Sequence, residues 1–130
     1  MTTTLTVNTM TEREKLSKLT ATVKKTLPDV FWYKIPDTRI GHKKPFDVVA
    51  MCDGDTYAFE FKSPKGVLAE HQKEALLKAA SNGCCACVVT FLDNPKMLRF
   101  DTSLLKSVTT KQSIFLCILQ LLYSTKKRAR

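Results

Sequence analysis

The sequence predicts an α/β domain with the element order α-β-β-β-α-β, a mixed sheet flanked by helices. Three observations predict it. Leu16, Leu19, Val23 and Leu27 recur at steps of three and four, which is a helical period. Three short runs rich in aromatic and β-branched residues follow between positions 30 and 62, the last two joined by Asp53-Gly54. A near-continuous apolar run, Cys85 to Phe91, then follows a second helical stretch, as in a strand buried within a sheet.

Each element has its own signals. Residues 1–10 carry no charge and read as a weakly ordered arm. Thr11 is an N-cap, with Glu14 as its capping-box partner three residues on. Pro28 closes this first helix. Val30–Ile35 reads as a first strand, and 36–45 as a polar, basic loop. Phe46–Met51 reads as a second strand. Asp-Gly is a strong hairpin signal, so a third strand, Thr56–Lys62, runs back antiparallel to the second. It alternates cleanly: Tyr57, Phe59 and Phe61 share one face, Ala58, Glu60 and Lys62 the other. Pro64-Lys65-Gly66 breaks it. A helix over Ala69–Ser81 ends at Gly83, a natural stop residue. Lys96–Asp101 reads as a short edge strand. Ile114–Tyr123 is apolar but far too short to span a bilayer. It predicts either a core helix or an oligomer contact.

Composition narrows the class. A chain of 130 residues bounds one domain, here expected over 11–124 with a basic tail at 125–130. At 44% hydrophobic residues it is too apolar for a disordered chain. The net charge of +9 favours a polyanionic partner, and no basic amphipathic helix with large apolar anchors points to a membrane surface. The charge surplus lies in the flanks, while 51–100 is balanced. Five cysteines, three of them at 84, 85 and 87, have no second pair with metal-ligand spacing, and the start lacks a signal-peptide pattern. Reduced thiols in a cytoplasmic protein are expected.

The chemistry concentrates on the third strand. Glu60 and Lys62 lie on one face between bulky aromatics, costly to desolvate unless paired or used. Asp47 interrupts the second strand, and the hairpin can set it beside Glu60. Two adjacent carboxylates repel unless a cation lies between them, and hard divalent cations such as Mg²⁺ take such oxygen ligands. Glu12 falls on the apolar stripe of the first helix, while Glu14 faces solvent. Gln72 interrupts the stripe of the second helix between Leu68 and Leu76.

This set, Glu12, Asp47, a hairpin, Glu60-Phe61-Lys62 and Gln72, resembles the PD-(D/E)XK nuclease superfamily, across residues 11–93. Within it, Phe59-Glu60-Phe61-Lys62 followed by His71-Gln72 is similar to RecU-type and archaeal Holliday junction resolvases and to the VRR-NUC nucleases of phages. The resemblance implies a restriction-endonuclease-like αβββαβ core. It implies Mg²⁺ (or Mn²⁺) held by Asp47, Glu60 and the Phe61 carbonyl, with Glu12 contributing directly or through water. Lys62 would orient or activate the attacking water, and Gln72 would steady Lys62 or that water. Cleavage would leave a 5′-phosphate and a 3′-hydroxyl. His71 reads as an exposed helix residue. Arg39, His42, Lys43, Lys44, Lys65, Lys126, Lys127 and Arg128 are candidates for DNA-backbone contact. The function implied is junction resolution by a homodimer. A general or flap nuclease, or a non-catalytic DNA-binding module of the same fold, are the alternatives.

Overall fold

The computed structural model describes residues 10–37 and 43–125. Eight elements run along the chain: α1 (Glu12–Thr26), β1 (Phe31–Lys34), β2 (Val48–Cys52), β3 (Asp55–Lys62), α2 (Glu70–Ser81), β4 (Cys85–Asp93), β5 (Lys96–Asp101) and α3 (Thr110–Ser124). The strands form one sheet in the order β1-β2-β3-β4-β5. Only the β3–β4 pair is parallel; the other three are antiparallel. The sheet is therefore mixed, as expected, and α2 is the crossover that a parallel pair requires.

Local chemistry places the boundaries. Thr11 caps α1: its hydroxyl accepts from the Glu14 N–H at 3.1 Å, and Glu14 Oε1 accepts from the Thr11 N–H at 2.8 Å. Asp53 and Gly54 both adopt positive φ, which suits the two-residue β2–β3 turn. Gly83 stops α2 at φ +93°. Two limits differ from expectation. β2 begins two residues later than Phe46, because Asp47 leaves the regular ladder to serve the site described below. α3 begins well before Ile114, because Thr109 and Gln112 form a second capping box.

The two faces of the sheet are covered differently. On one face α1 and α3 close over Trp32, Tyr57, Phe59, Phe61 and Phe91, all buried. Trp32 Nε1 donates to Thr20 Oγ1 at 2.9 Å, which satisfies the indole in the core and ties β1 to α1. On the other face α2 seats Leu76 over Ala58 and Ala86. Of the two readings of 114–123, the core helix holds: Phe115, Leu116, Leu119 and Tyr123 are buried, while Ile114 and Leu121 remain exposed. Cys85 and Cys87 are buried in β4 and all five thiols are free. No described helix is long and apolar enough to cross a membrane.

Candidate active site

β2 and β3 bring the acids together. The register pairs Val48 with Phe59, so Asp47 stands opposite Glu60 on the face covered by α2. The Asp47 N–H donates to the Phe59 carbonyl at 3.0 Å. Asp47 Oδ2 reaches across the hairpin and accepts from the Phe61 N–H at 2.8 Å. The carboxylate is thereby fixed against the segment that carries Glu60 and Lys62.

Glu60 is the most desolvated charged side chain of the site, 3% exposed. Its Oε2 accepts from Gln72 Nε2 at 2.8 Å and faces Lys62 Nζ at 3.3 Å. Its Oε1 is buried with no hydrogen-bond partner. Burial pushes the Glu60 carboxyl up to about 7; the charge of Asp47 adds to the rise and Lys62 opposes it. Gln72 does two things with one amide. Its Oε1 accepts from the Ala69 N–H at 3.0 Å, capping α2, while its Nε2 holds Glu60.

A second cation, Lys44, lies within the site. Its Nζ bridges Asp47 Oδ1 at 2.9 Å and Asp37 Oδ1 at 2.8 Å. Burial works against the Lys44 ammonium, but its hydrogen bonds to Asp37 and Asp47 outweigh it and raise the pKa. A hydrogen bond from Lys44, reinforced by its charge, holds Asp37 below its usual range. Arg13 Nη2 adds a bond to Asp37 Oδ2 at 2.9 Å. Asp37 is not among the residues that the sequence pattern singles out. Its signal was an acid directly after Pro36 in an otherwise basic loop.

These groups line one cleft of about 660 Å³ between the start of α1, the end of β1 and β3. The structure gathers Asp47, Glu60, Phe61, Lys62, Gln72 and Glu12 there. One correction concerns Glu12. It does not lie on a buried stripe but stands exposed at the cleft mouth. All of residues 11–14 are exposed, and the buried stripe of α1 starts only at Leu16. Lys44, a candidate for backbone contact, is ion-paired with Asp37 and Asp47. Lys43 and Lys65 are exposed, and His71 lies half-buried on α2 outside the lining of the cleft. Arg39, His42, Lys126, Lys127 and Arg128 lie outside the described residues.

The residues fit a hard cation in one specific respect. A buried carboxylate oxygen without a hydrogen-bond partner, beside a second carboxylate, is an acceptor position that a cation could fill in place of a proton. No group of three or more His, Cys, Asp or Glu side chains forms among the described residues.

No protein-family model matches the sequence, and no curated protein matches it. Among solved structures, the chain is similar to Hjc of Archaeoglobus fulgidus, a Holliday junction resolvase from an archaeal hyperthermophile. The TM-score is 0.52 at 16% identity, over 79% of this chain and 98% of that one. The mixed five-stranded sheet and its flanking helices are thus the restriction-endonuclease-like fold, the fold of PD-(D/E)XK nucleases.

Proposed function

We propose that this chain is a metal-dependent DNA endonuclease, and that its substrate is branched DNA of the Holliday junction class. The observation that carries the reading is the Asp47–Glu60 pair with Lys62 two residues on, set in a cleft with one Glu60 oxygen buried and unpartnered. A non-catalytic DNA-binding module would have no use for that oxygen, whose burial costs stability. The likeness to a resolvase of the same fold supports the choice of junction DNA, and the net charge of +9 supports a polyanion.

Asp47, Glu60 and the Phe61 carbonyl would hold Mg²⁺ (or Mn²⁺), with Glu12 reaching from the cleft mouth. Bound there, the cation supplies Lewis-acid stabilisation of phosphate charge. The chain's own groups do the rest. Lys62, held at 3.3 Å from Glu60, directs its ammonium into the cleft, where it orients a water and steadies the negative charge that develops on phosphorus. Gln72 keeps Glu60 in one rotamer by a bond to Oε2, which leaves Oε1 free. Phe61 N–H does the same for Asp47. Lys44 neutralises Asp47 Oδ1 and so competes with a cation for that oxygen. Lys43 and Lys65, both exposed, would contact the DNA backbone.

A homodimer suits a four-way junction, since a two-fold axis presents two equivalent sites.

The test is cleavage of a four-way junction and a linear duplex by wild type and Asp47→Ala, with Mg²⁺ and with chelator, beside light scattering for a mass of twice 14.7 kDa. Paired, symmetric, Mg²⁺-dependent cuts in the junction that vanish in Asp47→Ala are expected. No cleavage of either DNA with any divalent metal would refute the enzyme. Equal cutting of linear duplex would make it a general nuclease.

A further inference from the structure

β1 carries a feature that the chemistry of the cleft does not use. Side chains alternate along it, so Trp32 enters the core while Phe31 and Tyr33 point to the opposite face. That face is the one that holds Asp47 and Glu60. Phe31 and Tyr33 are 52% and 50% exposed, and Met51, paired with Phe31 across the ladder, is 48% exposed. The two rings lie nearly parallel, 14° apart, with centroids 6.3 Å apart. α2 covers β3 and β4 on this face, not β1. Two large aromatics side by side on an uncovered edge strand favour unwanted association, and a chain keeps them there at a cost.

The row also leads somewhere. Ile35 follows Phe31 and Tyr33 on the same face, and its N–H donates to the Asp47 carbonyl at 2.8 Å. The aromatic row therefore leads into the cleft, where Lys34 and Lys62 stand among the acids Glu12, Asp47 and Glu60. Flat rings spaced along a sheet are how sheet surfaces hold unpaired nucleobases: bases stack on the rings while nearby cations follow the phosphates. The apolar area is too small for a protein partner of its own. Three half-exposed side chains of this size offer on the order of 300 Å², against the ~800 Å² per partner of a stable interface.

We infer that Phe31 and Tyr33 form a stacking platform for unpaired bases of the DNA substrate, feeding a splayed strand towards Asp47 and Glu60. This rests on the nuclease reading and deepens it. It makes the enzyme select DNA with bases free to unstack, such as a junction whose arms open or a flap, over perfect duplex.

The experiment measures binding of the full chain to a single strand, an open junction and a blunt duplex, with Ca²⁺ in place of Mg²⁺. A 2-aminopurine in the unpaired segment reports stacking. Wild type is compared with Phe31→Ala/Tyr33→Ala and with Phe31→Trp, and light scattering and melting are followed for each. Wild type should quench the 2-aminopurine. The double variant should lose the quench, and its preference for unpaired over duplex DNA should fall about tenfold or more. Phe31→Trp should retain both. An unchanged quench and preference would overturn the platform, as would equal weakening on all three DNAs. So would a shift of the double variant to half the wild-type mass, which would make this face a contact between copies. Cleavage of the junction by wild type in Mg²⁺, run in parallel, stands or falls separately and reports on the nuclease reading alone.

Discussion

β3 has two faces that follow opposite rules. On one, Tyr57, Phe59 and Phe61 are each no more than 1% exposed and pack ring to ring, one pair tilted and the next edge-on, with neighbouring centroids 5.8 and 6.0 Å apart. On the other, between Phe59 and Phe61 in the same strand, Glu60 sits at 3% exposure with an unpartnered oxygen. The first face gains stability from every atom it buries. The second gives some back to hold a charge where water is scarce. One strand therefore supplies both rigidity and reactivity, and each face makes the other possible: the aromatic side holds the backbone still enough to fix the acids on the reverse.

The sharpest way to break this contrast is Lys62→Ala. It removes a group from the reactive face and leaves the aromatic face whole. Cleavage of junction DNA should fall by about a hundred- to ten-thousandfold, with the melting temperature little changed; a large drop in melting would show that Lys62 is structural. Phe59→Ala is the mirror experiment. It opens the core on the other face and should cost about 3–5 kcal/mol in urea unfolding. Residual cleavage should follow the folded fraction, so a loss of activity well beyond the unfolded fraction would mean the two faces are not separable.

Glu60→Gln isolates the cost of the charge. The Glu60 pKa is raised, so the native state favours its protonated form. That contribution is intact below 4.5 and is lost as the pH rises through about 7. The variant should therefore be inactive yet more stable than wild type above pH 7, by on the order of 2 kcal/mol, with the gain vanishing near pH 4. Thermal melts at pH 4 and pH 8 without divalent metal decide it; a variant less stable at pH 8 would show that the desolvation is already offset. The smallest effect belongs to Gly66→Ala. A Cβ there would lie 3.1 Å from Lys62 Cδ and 3.2 Å from the Ser63 carbonyl. It should press on Lys62 and slow cleavage a few-fold, with a stability change below about 1 kcal/mol. An unchanged rate would mean the lysine stem yields freely.

Much of this contrast was legible in the chain. Alternation in 57–62 assigned each side chain to its face, because strand geometry has a period of two and nothing else intervenes. Thr11 with Glu14, and Asp53 with Gly54, announced their cap and turn because the interactions span only a few residues. Even the neighbours Asp47 and Glu60 followed from the hairpin. What escaped depends on contacts that no local pattern encodes. Lys44 looked like one of several loop cations until Asp37 and Asp47 were found on either side of it. Glu12 satisfied a helical period whose buried stripe starts only at Leu16. The start of α3 is hidden from an apolar pattern because its first turn is polar and is held by the Thr109–Gln112 capping box. The aromatic run 31–33 read simply as a strand. Only the placement of α2 over β3 and β4 shows that two of its three rings are left outside.

The chain's single tryptophan, Trp32, lies on the buried side of β1, bonded to Thr20 and close to Phe59 and Phe61. Its neighbours in sequence, Phe31 and Tyr33, face the other way. Intrinsic fluorescence of this protein is therefore a signal from behind the sheet. It will track the melting of the aromatic core faithfully, and it will stay dark to anything that enters or leaves the cleft in front.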